Sequence, residues 1–187
     1  MTRLYIADVN GIDIDFALSR VSEYRREKVS RIKPEAEKRR SLGAELLLHR
    51  AFGEGFEYGI ADGGKPFAEG VYFSLSHSGD FAVCAVGDAA IGVDIDYPRK
   101  NPLPLARRFF SEEEYSEVAN SAHPTEVFCS FWVLKEACIK CSGDGIRGLS
   151  ETRISDYFTR HITHEGYHIG IASKANLGEI EIHVEKI

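Results

Sequence analysis

Residues Phe128 to Gly145, FCSFWVLKEACIKCSGDG, place a carboxylate and an ammonium inside what otherwise reads as a core helix. Phe128, Phe131, Trp132, Leu134 and Ile139 supply apolar surface at helical spacing. Steps of four bring Trp132, Glu136 and Lys140 onto one face, where a plain core helix would carry aliphatics. Two readings fit that face. Either Glu136 and Lys140 form an i,i+4 pair at a solvated edge, or both charges serve a polar site.

A second acidic element stands at Ile91 to Asp96, IGVDID. If Ala90 to Asp96 is a strand, its period of two puts Gly92, Asp94 and Asp96 on one face and Ile91, Val93 and Ile95 on the other. The two carboxylates then lie about 7 Å apart, twice the rise per residue. Like charges so placed repel, and Asp is disfavoured inside strands, so the pair needs a cation or an exposed edge. The bland reading is a strand that runs out into solvent at Asp96-Tyr97-Pro98.

A net charge of −6 and a pI near 5.7 argue against a general nucleic-acid binder, so an anionic ligand would have to be met by a local cluster of cations. Arg25, Arg26, Lys28, Arg31, Lys33, Lys38, Arg39 and Arg40 form such a run, against Glu27, Glu35 and Glu37. It is either a solvated face or a phosphate-binding rim. With 187 residues, 43% of them hydrophobic, the chain can bury its own core without staples. No apolar run reaches membrane-spanning length and MTRLYIADVN lacks a signal-peptide core, so a cytoplasmic protein without a membrane partner is expected.

Cys84, Cys129, Cys138 and Cys141 read as buried free thiols, and the Cys138/Cys141 CxxC lacks a second pair that would complete a zinc site. His161, His164 and His168 straddle a turn at Glu165-Gly166 and read as surface positions of a hairpin rather than a metal cluster.

In chain order the pattern predicts a strand at Leu4 to Ala7, a helix from Ile14 to Ile32 and another from Pro34 to Phe52. Gly63-Gly64-Lys65-Pro66-Phe67 is a rigid turn with one lysine at its tip. Strands Val71 to Ser76, Phe81 to Val86 and Ala90 to Asp96, joined by short connectors, suggest an antiparallel meander. Ser76-His77-Ser78 lies at its first turn, where two hydroxyls and an imidazole suit anion contacts, since the chain lacks a nucleophile elbow there. Helices Leu105 to Asn120 and Glu126 to Cys141 follow, then strands Arg153 to His164, Tyr167 to Ser173 and Glu179 to Glu185. Helices then strands, twice, predicts an α+β fold of two similar lobes, 1–97 and 98–187, acting as a monomer.

Read together, four ordered blocks carry a family resemblance. Gly64-Lys65-Pro66, Ser74-Leu75-Ser76-His77-Ser78, Gly92-Val93-Asp94-Ile95-Asp96, and Trp132-Val133-Leu134-Lys135-Glu136-Ala137 with Lys140, Gly143 and Gly145 resemble the surfactin-type 4′-phosphopantetheinyl transferases. The match extends to Arg107-Arg108-Phe109-Phe110-Ser111 and to Arg39 through Gly43, spanning residues 25 to 147. The resemblance implies two pseudo-twofold α/β lobes with mainly antiparallel sheets and the active site between them. It also implies transfer of 4′-phosphopantetheine from coenzyme A to a serine of an apo carrier protein, releasing adenosine 3′,5′-bisphosphate. Asp94, Asp96 and Glu136 would bind Mg²⁺, with Mn²⁺ as the alternative. Asp96 departs from the family, where Glu is commoner.

By the same resemblance Lys140 contacts the diphosphate. His77, Lys28, Arg31 and Arg39 grip the 3′-phosphate side, while Lys65 and Ser76 line the nucleotide pocket. Glu136, Lys140 and His77 form the catalytic set. The chemistry agrees: Mg²⁺ takes oxygen ligands and bridges carboxylates to a diphosphate, and Glu136 is the best placed to accept the serine proton. A different Mg²⁺-dependent phosphotransferase would need a Gly-rich phosphate loop that the chain lacks. An inactive or divergent coenzyme A-binding module of the same fold is the remaining alternative.

Overall fold

A computed structural model describes residues 1–61, 64–143 and 148–187 of the chain. Strand β1 (Thr2–Asp8) is followed by helices α1 (Ile14–Arg20), α2 (Glu23–Ser30) and α3 (Glu35–Phe52). The single helix expected over 14–32 is therefore two. Ser22 breaks it, because its hydroxyl accepts from the Arg25 amide and starts a new helix after Val21 turns extended.

Next come the short strands β2 (Gly59–Ile60) and β3 (Pro66–Phe67), then β4 (Tyr72–Ser78), β5 (Phe81–Gly87) and β6 (Ile91–Asp96). Helices α4 (Leu103–Phe109), α5 (Glu112–Asn120) and α6 (Pro124–Ser142) open the second half. Here too one expected helix is split, since Ser111 and Glu114 form a capping box that begins α5. Pro124 starts α6, and Gly143 ends it in the left-handed conformation that only glycine adopts without cost. A 3₁₀ turn (Ile154–Asp156) leads into β7 (Phe158–His164), β8 (Tyr167–Ser173) and β9 (Ile180–Glu185).

The fold is α+β with mainly antiparallel sheets. The first sheet has the order β4-β5-β1-β9, in which only the β1–β9 pair is parallel, the second has the order β6-β8-β7, and β2 and β3 form a small antiparallel pair of their own. The expected meander is thus wrong at its third strand. β1 occupies the free edge of β5, with Tyr5 opposite Cys84, so β6 pairs instead with β8, Asp94 opposite Gly170. A division after residue 97 does not follow the sheets either, because β6 lies in the second sheet and β9 returns to the first.

Alternation along the strands dictates the layers. Tyr5, Ala7, Ala82, Cys84 and Val86 face α3, whose Leu42, Leu47 and Leu48 they bury. Leu4, Ile6, Phe81, Val83 and Ala85 face the other way, onto Ile91, Val93, Ile95, Ile169 and Ile171 of the second sheet. Each large aliphatic of this kind contributes roughly 1.5–3 kcal/mol by leaving water. The opposite face of the second sheet carries Gly92 and Gly170. α6 lies directly on both: a Cβ at Gly92 would strike the Ala137 carbonyl and the Cys141 amide, and one at Gly170 would strike the Val133 backbone. This close approach seats the helix on the strand that carries Asp94 and Asp96.

All four cysteines are buried free thiols. The histidine hairpin is only partly a surface feature. His168 is buried and bridges His161 Nε2, 2.9 Å from its Nδ1, to Glu126 Oε2, 2.7 Å from its Nε2. The acidic partner comes from the first turn of α6, which spacing within the hairpin could not reveal. No helix among the described residues is long and apolar enough to cross a membrane.

Candidate active site

A cavity of about 440 Å³ opens where β4 and β6, the edge strands of the two larger sheets, meet α6. β6 contributes Asp94 and Asp96, α6 contributes Trp132, Glu136 and Lys140, β4 contributes Ser76, His77 and Ser78, and α2 contributes Tyr24, Arg25 and Lys28. The period-two and step-of-four patterns therefore deliver both acidic elements to one place.

β4 and β6 share no backbone ladder, so serines do the joining. The Val93 amide donates to Ser74 Oγ at 3.0 Å, Ser76 Oγ donates to Asp94 Oδ1 at 2.7 Å, and Ser78 Oγ donates to Asp96 Oδ1 at 3.0 Å. A Ser-x-Ser-x-Ser strand supplies side-chain donors and acceptors where the backbone of an edge would be left unmatched.

Lys140 does not pair with Glu136. Its Nζ lies 2.7 Å from Asp94 Oδ1 and 2.8 Å from Ser76 Oγ, so it crosses from α6 to the two strands. Glu136 makes no hydrogen bond among the described residues. Burial pushes its carboxyl above the ordinary carboxylate range, and Asp94 and then Asp96 add to the shift against the opposing Lys140. Asp96 is held by the Tyr97 amide as well as Ser78, and by an ion pair with Arg99.

The α2 side of the cavity is cationic. Burial, reinforced by Arg25 and opposed by Glu37, lowers the Lys28 ammonium. Arg25 is itself buried, bonded through Nε to Glu45 at 2.9 Å and through Nη1 to Ser41 at 3.1 Å. His77 is brought down to about 4 by burial, partly offset by Glu37 and reinforced by Lys140, Arg25 and Arg40. An imidazole held neutral in the fold but free to protonate when unfolded favours the unfolded state as acid is added. Stability is therefore expected to fall as pH drops from about 6.5 towards 4, and His77→Gln to flatten that fall. Melting temperature measured across this window checks it, and an unchanged slope in the variant would place the loss elsewhere.

Residues 90–180 match the 4′-phosphopantetheinyl transferase superfamily. A 4′-phosphopantetheinyl transferase of Bacillus subtilis is 34% identical, over 71% of this chain and 64% of its own length. The 4′-phosphopantetheinyl transferase gsp of Aneurinibacillus migulanus is 30% identical over 76% and 66%, and the 4′-phosphopantetheinyl transferase HetI of a Nostoc species is 40% identical over 49% and 41%. Over residues 90–180 the chain is similar to the 4′-phosphopantetheinyl transferase superfamily. It spans about two thirds or less of the length of these curated relatives. The matched segment contains Asp94, Asp96, Trp132, Glu136 and Lys140.

The donor set fits a hard divalent cation. Three carboxylates line one cavity, and the rise in Glu136 caused by burial and its acidic neighbours is a strain that a bound cation relieves. They do not converge into a finished cage: among the described residues no three His, Cys, Asp or Glu side chains are grouped to hold an ion.

Of the other residues that the sequence resemblance singled out, Ser76, His77 and Lys28 line the cavity, whereas Arg31 and Arg39 do not. Arg31 is exposed beside Glu27, and Arg39 bonds Glu35 and the Ile12 carbonyl. Lys65 donates to the Cys141 carbonyl at 3.0 Å and lines a smaller neighbouring cavity of about 220 Å³. Gly63 and Gly145 fall outside the described residues. Arg25, part of the basic run but not among the site residues that the resemblance implies, also lines the cavity, and its spacing of three from Lys28 places both on one face of α2.

Proposed function

We propose that this protein transfers 4′-phosphopantetheine from coenzyme A to a serine of an apo carrier protein, as a cytoplasmic monomer without nucleic-acid or membrane partners. The observation that carries the reading is the convergence of Asp94, Asp96 and Glu136 with Lys140 in one cavity whose far wall is cationic. An anionic cofactor with a diphosphate and a separate phosphate needs a wall of that polarity.

In this reading Asp94, Asp96 and Glu136 hold Mg²⁺ or Mn²⁺, which when bound offsets charge on the diphosphate. The serine hydroxyl attacks the phosphorus that carries pantetheine. A new O–P bond forms, the bond to the other phosphate breaks, and adenosine 3′,5′-bisphosphate leaves. Glu136 accepts the serine proton through an oxygen the cation does not engage, since it has no competing hydrogen bond among the described residues. Lys140 moves from Asp94 and Ser76 onto the diphosphate, a short reach for a flexible ammonium already at the cavity wall. Lys28, Arg25 and His77 face the 3′-phosphate, whose charge would draw a proton onto the neutral imidazole.

Mass spectrometry of an apo carrier protein incubated with this protein, coenzyme A and Mg²⁺ tests the reading. A phosphopantetheine mass on the carrier serine is the expected result. Coenzyme A binding with no mass added to any carrier in a panel would favour the inactive or divergent binding module.

A further inference from the structure

Asp94 and Asp96 are not equivalent in the structure. Asp94 Oδ1 takes both Ser76 and Lys140, and Oδ2 has no partner among the described residues. Asp96 Oδ1 takes Ser78 Oγ and the Tyr97 amide, which uses both lone pairs of that oxygen. The remaining oxygen, Oδ2, is capped by the Arg99 guanidinium. Arg99 in turn lies on an aromatic shelf, its Cζ 5.1 Å from the Trp132 ring centre and 6.0 Å from that of Phe128.

We infer that Arg99 is a positioning residue that competes with a divalent cation for Asp96, and so sets how tightly the protein holds that cation before substrate arrives. The inference rests on the reading of Asp94, Asp96 and Glu136 as metal carboxylates. Three features separate this pair from an ordinary surface contact. Asp96 is largely withdrawn from water, with its side chain only 13% exposed, so its charge is poorly screened. Trp132 and Phe128 favour a cation on their faces, so the guanidinium is supported where it stands. The Tyr97-Pro98 link is short and Pro98 has a restricted φ, which holds Arg99 close to Asp96.

A divalent cation using Oδ2 must break a charge-assisted hydrogen bond, and the displaced guanidinium remains close by on Trp132, whose ring lines the cavity. Repulsion between the two cations then weakens metal binding until an anion enters between them. An anionic substrate would therefore raise metal affinity by engaging the displaced guanidinium.

Mn²⁺ titration followed by the electron paramagnetic resonance of the free ion, with no coenzyme A or carrier present, measures this directly. Arg99→Met keeps an unbranched stem on Trp132 but frees Oδ2, and should bind Mn²⁺ about tenfold more tightly than wild type, the loss of one competing charge-assisted bond. Arg99→Gln should behave alike and serves if the Met variant folds poorly. Arg99→Lys, which retains a competing charge, should stay within about threefold of wild type. Adding Asp96→Asn to Arg99→Met should abolish the gain. Mn²⁺ binding that Asp94→Asn removes but Arg99→Met leaves unchanged or weakened would overturn the inference and leave the metal reading intact. No Mn²⁺ binding by wild type or by Arg99→Met would overturn both.

Discussion

Glu136→Gln is expected to lower carrier modification by roughly 10²–10⁴-fold, the range for removing a general base or a charge-stabilising group, while the fold becomes no less stable. The two halves of that expectation come from one observation. Burial and the Asp94 and Asp96 carboxylates raise the Glu136 proton affinity, so an ionised Glu136 is carried at a cost in the folded chain. A raised carboxyl pKa favours folding below the ordinary carboxylate range and loses that advantage as pH rises through the raised value. At neutral pH the isosteric amide escapes the cost. Melting in a chelator should therefore show the variant level with wild type or above it, and single-turnover carrier labelling should show the loss. Labelling within twofold of wild type would remove Glu136 from the catalytic set, and a marked fall in melting temperature would mean that its role is structural.

Gly92→Ala should cost about 3 kcal/mol or more, a far larger effect than a single methyl usually has. The added carbon meets the Ala137 carbonyl oxygen and the Cys141 amide nitrogen, both backbone atoms of α6 that no rotamer change can move aside. α6 would have to lift from β6, which also pulls Glu136 and Lys140 away from Asp94. Gly170→Ala should do the same through the Val133 backbone, whereas Gly11→Ala, with open space around it, should lie within about 0.5 kcal/mol of wild type. Urea denaturation of the three variants checks the ranking. An unfolding midpoint for Gly92→Ala equal to that of wild type would show that the helix does not rest on the strand.

Local periodicity carried much of the site. The spacing of Trp132, Glu136 and Lys140 placed them on one face of α6, and alternation placed Asp94 and Asp96 on one face of β6, because a side chain's direction within an element follows from the backbone repeat alone. The ordered motifs pointed to the superfamily that residues 90–180 match. The caps that divide the helices were also present, at Ser22 and Ser111, but the charged and apolar residues around them sustain a helical pattern across the break.

What the repeat cannot say is which face meets which. The short connector before β6 suggests the third strand of a meander, yet strand pairing is settled by competition for edges, and β1 holds the edge of β5. β9 likewise runs parallel to β1, a pairing between the two ends of the chain that no local signal encodes. The same limit decided the charges. Lys140 has Glu136 one turn away on its own helix, but Asp94 and Ser76 arrive from two strands at hydrogen-bond distance and take the ammonium instead. Among the basic residues of 25–40, composition announced a cationic face, whereas the packing of α2 and α3 turned Arg25 and Lys28 to the cavity and left Arg31 and Arg39 to Glu27 and Glu35. The sequence by itself determined which residues share a face; the tertiary structure decided which faces share a cavity, because contacts between distant segments depend on how whole elements pack.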